Sequence, residues 1–172
     1  MPVHLPAFVV TTGLLAMLPG AGQALMIRQI LGAGRRGAWP CIAGVATGLM
    51  IWSTSAAAGL SAILLSNPAA YQVVRIVGGI VLFGLGISTL MALRRSVAPD
   101  RAASPAAGER HDRRWSAYAA GLATNLGNPK AGVFAISVLP QFVTEDGPVF
   151  FSSVALGAIW ALTTATWYVL LT

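Results

Sequence analysis

Charged side chains are scarce in this sequence of 172 residues, since Asp, Glu, Lys and Arg together make up only 9% of it. A soluble domain carries about 25% charged residues, whereas 56% of this chain is hydrophobic. The shortage of charge excludes an ordinary soluble domain and predicts an integral membrane protein. Its net charge of +6 comes from arginines that cluster between apolar stretches, which indicates membrane topology and not binding of nucleic acid.

Residues for covalent links, metal binding and catalysis are equally few. Cys41 is the single cysteine, so a disulfide within the chain is excluded. The two histidines, His4 and His111, lie outside the apolar stretches, and no Cys or carboxylate cluster has the spacing of a metal site. A phosphate loop of the Gly-x-x-x-x-Gly-Lys type is also missing. We therefore expect no enzyme, no metal and no other cofactor.

What the sequence does contain is five apolar stretches long enough to cross a bilayer as helices. They cover about residues 6–31, 39–65, 71–93, 115–141 and 149–171. This pattern predicts an all-α fold, a polytopic bundle of five transmembrane helices in one membrane domain over residues 1–172. A segment rich in Ala, Pro and charge, 96–114, is expected to be a flexible cytoplasmic linker between halves at about 1–95 and 115–172.

The arginines between the apolar stretches predict the orientation of the chain. Nine of them fall in the first and third loops, namely Arg28, Arg35, Arg36, Arg94, Arg95, Arg101, Arg110, Arg113 and Arg114. The second loop has only Arg75, and the fourth has no basic residue. Because positive residues stay on the cytoplasmic side, we expect a multi-pass protein of the cytoplasmic membrane with its N-terminus outside.

The most informative stretch is Asn125-Leu126-Gly127-Asn128-Pro129-Lys130-Ala131-Gly132, inside the fourth apolar run. As a straight helix that run is ~39 Å long, with Lys130 ~22 Å from Trp115, against a hydrocarbon core of ~30 Å. The single lysine of the protein is thus expected near mid-bilayer, beside a helix break at Pro129. An ionisable residue at that depth suggests a functional site. The alternative is a lysine that only satisfies carbonyls freed near Pro129.

A similar break occurs in the first apolar run, where Pro19-Gly20-Ala21-Gly22 shares the pattern Pro-x-Ala-Gly with Pro129-Lys130-Ala131-Gly132. The arginine distribution gives these two runs opposite directions through the membrane. Interrupted helices of opposite direction in two halves are typical of an inverted repeat in transporters. We therefore predict helix breaks at Gly20–Gly22, beside Pro19, and at Asn128–Lys130, around Pro129. The two breaks should face each other within an inverted repeat of three-helix halves.

Several motifs together resemble the LysE/RhtB family of amino-acid exporters over essentially the whole chain. They are Leu18-Pro19-Gly20, Gly34-Arg35-Arg36-Gly37, Ala43-Gly44 with Thr47-Gly48, Gly59-Leu60-Ser61-Ala62, Gly121 to Ala131, and Leu139-Pro140-Gln141-Phe142. Two features depart from that family. Ala21-Gly22 stands where it usually has Pro followed by Asp or Asn, and its usual sixth helix is not found, so we expect the second half to be incomplete.

The resemblance implies a secondary transporter that exports amino acids or related small zwitterions by alternating access, with protons as one candidate coupling ion. The residues expected to bind the substrate are Lys130, Asn128, Asn125 and Gln23. The alternative for Asn125 and Asn128 is that they satisfy the broken backbone near Pro129. Gln23 lies one turn beyond Pro19 and is a candidate for the polar role that Gly22 lacks; a helix–helix hydrogen bond is the alternative. The alternative interpretation of the whole chain is a non-transporting or truncated membrane protein of the same fold. Such a protein would only pack in the membrane, form a homodimer or assemble with a partner.

Overall fold

The computed structural model describes residues 4–66, single positions between 69 and 87, and residues 110–143 and 148–172. These residues are almost entirely helical, so the all-α prediction is confirmed for them. The helices are α1 (Leu5–Met17), α2 (Ala21–Ser66), α3 (Arg110–Leu126), α4 (Pro129–Ser137) and α5 (Val149–Leu171), with a 3₁₀ turn at Leu139–Phe142. The predicted span at 71–93 lies mostly outside the described residues, so the count of five spans and the inverted repeat stay predictions.

Helix α2 continues through residues 32–38, where the sequence predicted the first loop, and is interrupted there only by a kink at one residue. Gly34 has φ 68° and ψ 179°, and it is the one non-helical residue within Ala21–Ser66. Glycine adopts such a positive φ at little cost because it has no Cβ. The chain therefore changes direction at one residue, and exposed Arg35 and Arg36 follow the kink directly.

The break in the first apolar run is present but lies slightly before the predicted position. Helix α1 ends at Met17 and α2 begins at Ala21, so Pro19 and Gly20 lie between them, whereas Ala21 and Gly22 are helical. Pro19 has no N–H and cannot continue the hydrogen-bond ladder of α1. The sequence signal for this interruption was therefore correct, and its physical cause is the proline.

The second predicted break separates α3 from α4 at Gly127 and Asn128. Pro129 is the first residue of α4, a position where a missing N–H costs nothing. The Oδ1 atom of Asn128 caps this helix by accepting a hydrogen bond from the Lys130 N–H at 3.1 Å. At its other end α3 starts at Arg110 and not at Trp115, so the last residues of the expected linker are helical, and residues 96–109 lie outside the described residues.

Close contact between α2 and α3 depends on glycines. A Cβ added to Gly44 would collide with the carbonyl oxygen of Tyr118, and one added to Gly121 would collide with the carbonyl oxygen of Cys41. Gly48 lies against the Asn125 side chain, where an added Cβ would be 2.7 Å from Oδ1. Gly44, Gly48 and Gly121 thus allow the two helices to approach closely, as small residues do in membrane helix pairs.

An aromatic cluster joins α1, α4 and α5 behind the two breaks. The ring of Phe8 lies 6.5 Å from that of Phe134, which in turn lies 4.6 Å from Trp160. Phe8 also meets Phe142 of the 3₁₀ turn edge to face at 5.1 Å. Aromatic pairs at these separations add stabilisation beyond the apolar area they bury. The cluster therefore fixes the half-helix α4 against its neighbours.

Two of the described helical segments, Ala21–Gly59 and Val149–Leu171, are long and apolar enough to cross a membrane. The second has the predicted bounds of the last span. Large apolar side chains are exposed on its outer side, including Phe151, Leu162 and Leu170. An exposed apolar face of this kind is suited to lipid.

Candidate functional site

The carbonyl groups at the end of α1 position the lysine. The last four carbonyls of a helix have no partner within it, and the amide that would bond Leu15 O belongs to residue 19, which is Pro19. Lys130 Nζ donates to this carbonyl at 3.2 Å and to that of Leu18 at 3.5 Å. The lysine thus bridges the two breaks, and its positive charge lies at the negative end of the α1 dipole.

Gln23 bonds the next two carbonyls of the same helix end. Its Nε2 atom donates to the carbonyl oxygen of Ala16 at 2.9 Å and to that of Met17 at 3.0 Å. The remaining carbonyl, that of Leu14, accepts from the Leu18 N–H. Every carbonyl of the last turn of α1 therefore has a donor. Two side chains predicted from the sequence, Lys130 and Gln23, supply three of these four hydrogen bonds.

The start of α4 is held by local hydrogen bonds. The amides of Ala131 and Gly132 both donate to the carbonyl oxygen of Asn128, at 3.0 and 3.3 Å, while Asn128 Oδ1 takes the Lys130 amide. The first amides of α4 are thus occupied within the chain. In this arrangement, the positive group that α4 presents at the break is the Lys130 side chain.

Asn125 is fixed at the end of α3 by its backbone carbonyl. That oxygen accepts from the Trp52 Nε1 atom at 3.3 Å and from the Asn128 N–H at 3.1 Å. The Oδ1 atom of Asn125 is buried and has no hydrogen-bond partner among the described residues. A buried acceptor without a donor costs free energy, so this amide is available to a ligand or to another conformation.

A cavity with a volume of about 50 Å³ lies between the two breaks, large enough for a few water molecules. Gln23, Asn125, Asn128 and Lys130 all line it, as does Gly20. The four residues expected to bind the substrate are therefore brought together around one space. The prolines Pro19 and Pro129 shape the breaks and are not part of the lining.

Helix α5 contributes a wall that the sequence argument did not assign to the site. Trp160, Thr164 and Tyr168 are buried and line the cavity, four residues apart along one face. The Thr164 hydroxyl lacks a partner among the described residues. Trp160 both lines the cavity and packs against the Phe134 ring. The spacing of these three residues in an apolar helix was the available signal for Thr164 and Tyr168.

No group of His, Cys, Asp or Glu able to hold a metal ion occurs among the described residues. The polar groups around the cavity are amides, hydroxyls and one ammonium, together with backbone carbonyls. Such a set can bind a small ligand with both a negative and a positive group. It offers an ammonium to the negative group and carbonyl or amide oxygens to the positive one.

Comparison with known proteins identifies the family of this chain. Residues 14–172 match the family model described as LysE type translocator. The chain belongs to this family. Its relatives in the LysE family include an uncharacterized membrane protein, YrhP, of Bacillus subtilis (strain 168), which is 25% identical over 96% of this chain and 80% of its own length.

Other relatives of this LysE family member carry names that state a function. The homoserine/homoserine lactone efflux protein of Salmonella typhi is 28% identical over 88% of this chain and 70% of its own length. The threonine efflux protein of Escherichia coli (strain K12) is 26% identical over 76% of this chain and 62% of its own length. No solved structure matches the chain. The family match and the names of these relatives support the membrane assignment and the family-level role in export.

Proposed function

We propose that this protein exports an amino acid or related small zwitterion from the cytoplasm. The observation that carries the proposal is the Lys130 ammonium, which bridges the two helix breaks beside the cavity. The relatives named homoserine/homoserine lactone efflux protein and threonine efflux protein support amino acids as the substrate class. The family-level role is a transporter, not an enzyme.

The proposed binding step is an exchange of partners at Lys130. The substrate carboxylate takes the ammonium of Lys130, which leaves the carbonyls of Leu15 and Leu18. Those two carbonyls then accept the substrate ammonium, so neither the lysine nor the helix end remains unpaired. Both sets of interactions are charge-assisted, and such hydrogen bonds are stronger than those between neutral groups.

The remaining polar residues have separate proposed roles around this exchange. Asn125, whose Oδ1 lacks a partner among the described residues, binds the substrate. Asn128 and Gln23 contact the substrate from the cavity wall. Asn128 also caps the start of α4, and Gln23 also bonds the carbonyls at the end of α1. The first amides of α2, which begins beside Gly20, add a positive helix end near the carboxylate.

Because Lys130 connects the two breaks, its exchange couples substrate binding to their separation. Alternating access around Pro19 and Pro129, with inverted three-helix halves and an outside N-terminus, is the transport cycle that fits this coupling. Among the described residues that line the cavity, Lys130 is the only basic side chain, so it is also the candidate carrier if protons drive export.

One observation favours a second function, that of a non-transporting protein of the same fold. Lys130 and Gln23 satisfy the last carbonyls of α1 without any ligand. A protein that only packs, or pairs with a second copy, would need no more than this. The two functions differ in whether Lys130 must leave its carbonyls.

Export by the purified protein decides between them. The full chain is reconstituted into vesicles loaded with a panel of labelled amino acids, and efflux is compared with that from protein-free vesicles. We expect efflux of at least one amino acid of the panel above the protein-free rate. Equal rates for the whole panel would favour the non-transporting function.

A further inference from the structure

Gly22 and Tyr168 occupy one space at the cavity, although they come from opposite ends of the chain. A Cβ added to Gly22 would collide with the hydroxyl oxygen of Tyr168, and it would lie 3.6 Å from the ring carbon that carries the hydroxyl. Both residues line the cavity. The missing side chain at position 22 therefore provides the room in which the tyrosine hydroxyl lies.

This contact explains why glycine stands at position 22. Gly22 is in the first turn of α2, directly after the break, where a side chain would point at the tip of Tyr168. Tyr168 is only 6% exposed, so its ring has little freedom to move away. A side chain at position 22 and a tyrosine at position 168 exclude each other.

We propose that Tyr168 determines which substrates this cavity accepts, an inference that rests on the proposed function. Its ring limits the side chain of the exported amino acid to a small one, and its hydroxyl takes the polar position that a side chain at residue 22 would otherwise hold. Trp160 and Thr164 lie on the same face of α5 and also line the cavity. Of the three residues, only Tyr168 lies within 4 Å of a Cβ added to Gly22.

The size of the cavity supports this assignment. A volume of about 50 Å³ holds only a few water molecules, so the side chains of its wall limit what can enter. The Tyr168 ring reaches from α5 to Gly22, beside the break between α1 and α2. Removal of its ring enlarges the cavity at that point. Added volume at such a wall changes discrimination by roughly tenfold or more for each methylene that no longer clashes.

The test compares initial export rates of glycine, alanine, leucine and phenylalanine from loaded vesicles. For the parent we expect export to fall by roughly tenfold or more from alanine to phenylalanine. Tyr168→Ala should remove most of that difference. The control is Phe151→Ala, which removes a ring that is 73% exposed on the same helix and should keep the parent's preference.

A second pair of variants tests the contact itself, independently of size preference. Gly22→Ala should reduce the amount of folded protein, because the new methyl group meets the Tyr168 hydroxyl. Adding Tyr168→Phe should restore it, since the nearest ring carbon is then at an ordinary contact distance of 3.6 Å. Gly13→Ala is the matched control, because its added Cβ would find Thr163 at 3.9 Å and should fold as the parent does.

The outcomes separate this proposal from the one on which it rests. If the parent exports no amino acid, the proposed function is wrong and Tyr168 has no specificity to determine. If the parent exports and Tyr168→Ala keeps the same preference among the four substrates, only the role of Tyr168 is overturned. If Tyr168→Phe does not rescue Gly22→Ala, the Tyr168 hydroxyl does not occupy the space of a side chain at position 22, and that part of the proposal is overturned.

Discussion

The ammonium of Lys130 donates to the carbonyl oxygen of Leu15, 115 residues earlier in the chain. That carbonyl is unpaired within its helix because Pro19 supplies no N–H. One proline thus creates the acceptor, and a second, Pro129, begins the half-helix that brings the donor to it. Both helix breaks are therefore parts of a single polar contact.

Gln23→Leu should destabilise the protein, because the carbonyls of Ala16 and Met17 both lose their side-chain donor. A net loss of about 0.5–1.5 kcal/mol per hydrogen bond is expected. Thermal unfolding of purified protein in detergent would measure it. The control is Gln141→Leu, since Gln141 is exposed and donates to the Ser137 carbonyl four residues earlier. An equal effect in the two variants would contradict a special role of Gln23 at the break.

Gly44→Ala should weaken the packing of α2 against α3, because the added Cβ meets the backbone oxygen of Tyr118. Backbone cannot rotate away as a side chain can, so a cost of about 1–3 kcal/mol is expected. Gly59→Ala on the same helix is the control, since nothing lies within 4 Å of its added Cβ. The unfolding temperatures of the two variants should differ clearly, with only Gly44→Ala falling below the parent.

Some of this arrangement could be predicted from the sequence, because its causes are local. The breaks at Pro19 and Pro129 follow from the missing N–H of proline, and the close packing at Gly44 and Gly48 from the lack of a side chain. Lys130 was identified because a charge in an apolar run is costly. These signals depend on residue type and near neighbours alone.

The other features of the site could not be predicted, because they depend on contacts between distant parts of the chain. The alternative role considered for Lys130 was to satisfy carbonyls near its own proline, whereas its carbonyl partners in the structure belong to the other break. The approach of Tyr168 to Gly22 has no local signature, since it joins the last helix to the second. The single-residue kink at Gly34 was expected to be a loop because the arginines beside it are typical of one.

The orientation predicted from the arginines can be tested by cysteine labelling with a membrane-impermeant reagent. Cys41 is buried, and Cys41→Ala gives a background without a native thiol. Cysteines are then introduced singly at Asn67 and Ala103, which lie outside the described residues. The first should react from outside in intact cells, and the second only after the cells are opened. Labelling of the Ala103 position from outside would contradict an outside N-terminus.

The central claim is that Lys130 exchanges its carbonyls for the substrate carboxylate. A lysine that served only the helix end would affect how much protein folds, but not the activity of each folded molecule. Lys130→Arg adds a useful intermediate, because a planar guanidinium does not reproduce a compact ammonium in a confined site. It should fold well and still export more slowly than the parent.

The most direct test is the initial export rate of Lys130→Ala divided by the quantity of folded protein in the vesicle membrane. Hydrogen bonds to charged groups contribute about 1.5–3 kcal/mol, so the rate per folded molecule should fall roughly ten- to hundredfold or further. A rate per folded molecule equal to that of the parent would remove Lys130 from the binding site and contradict the proposed mechanism.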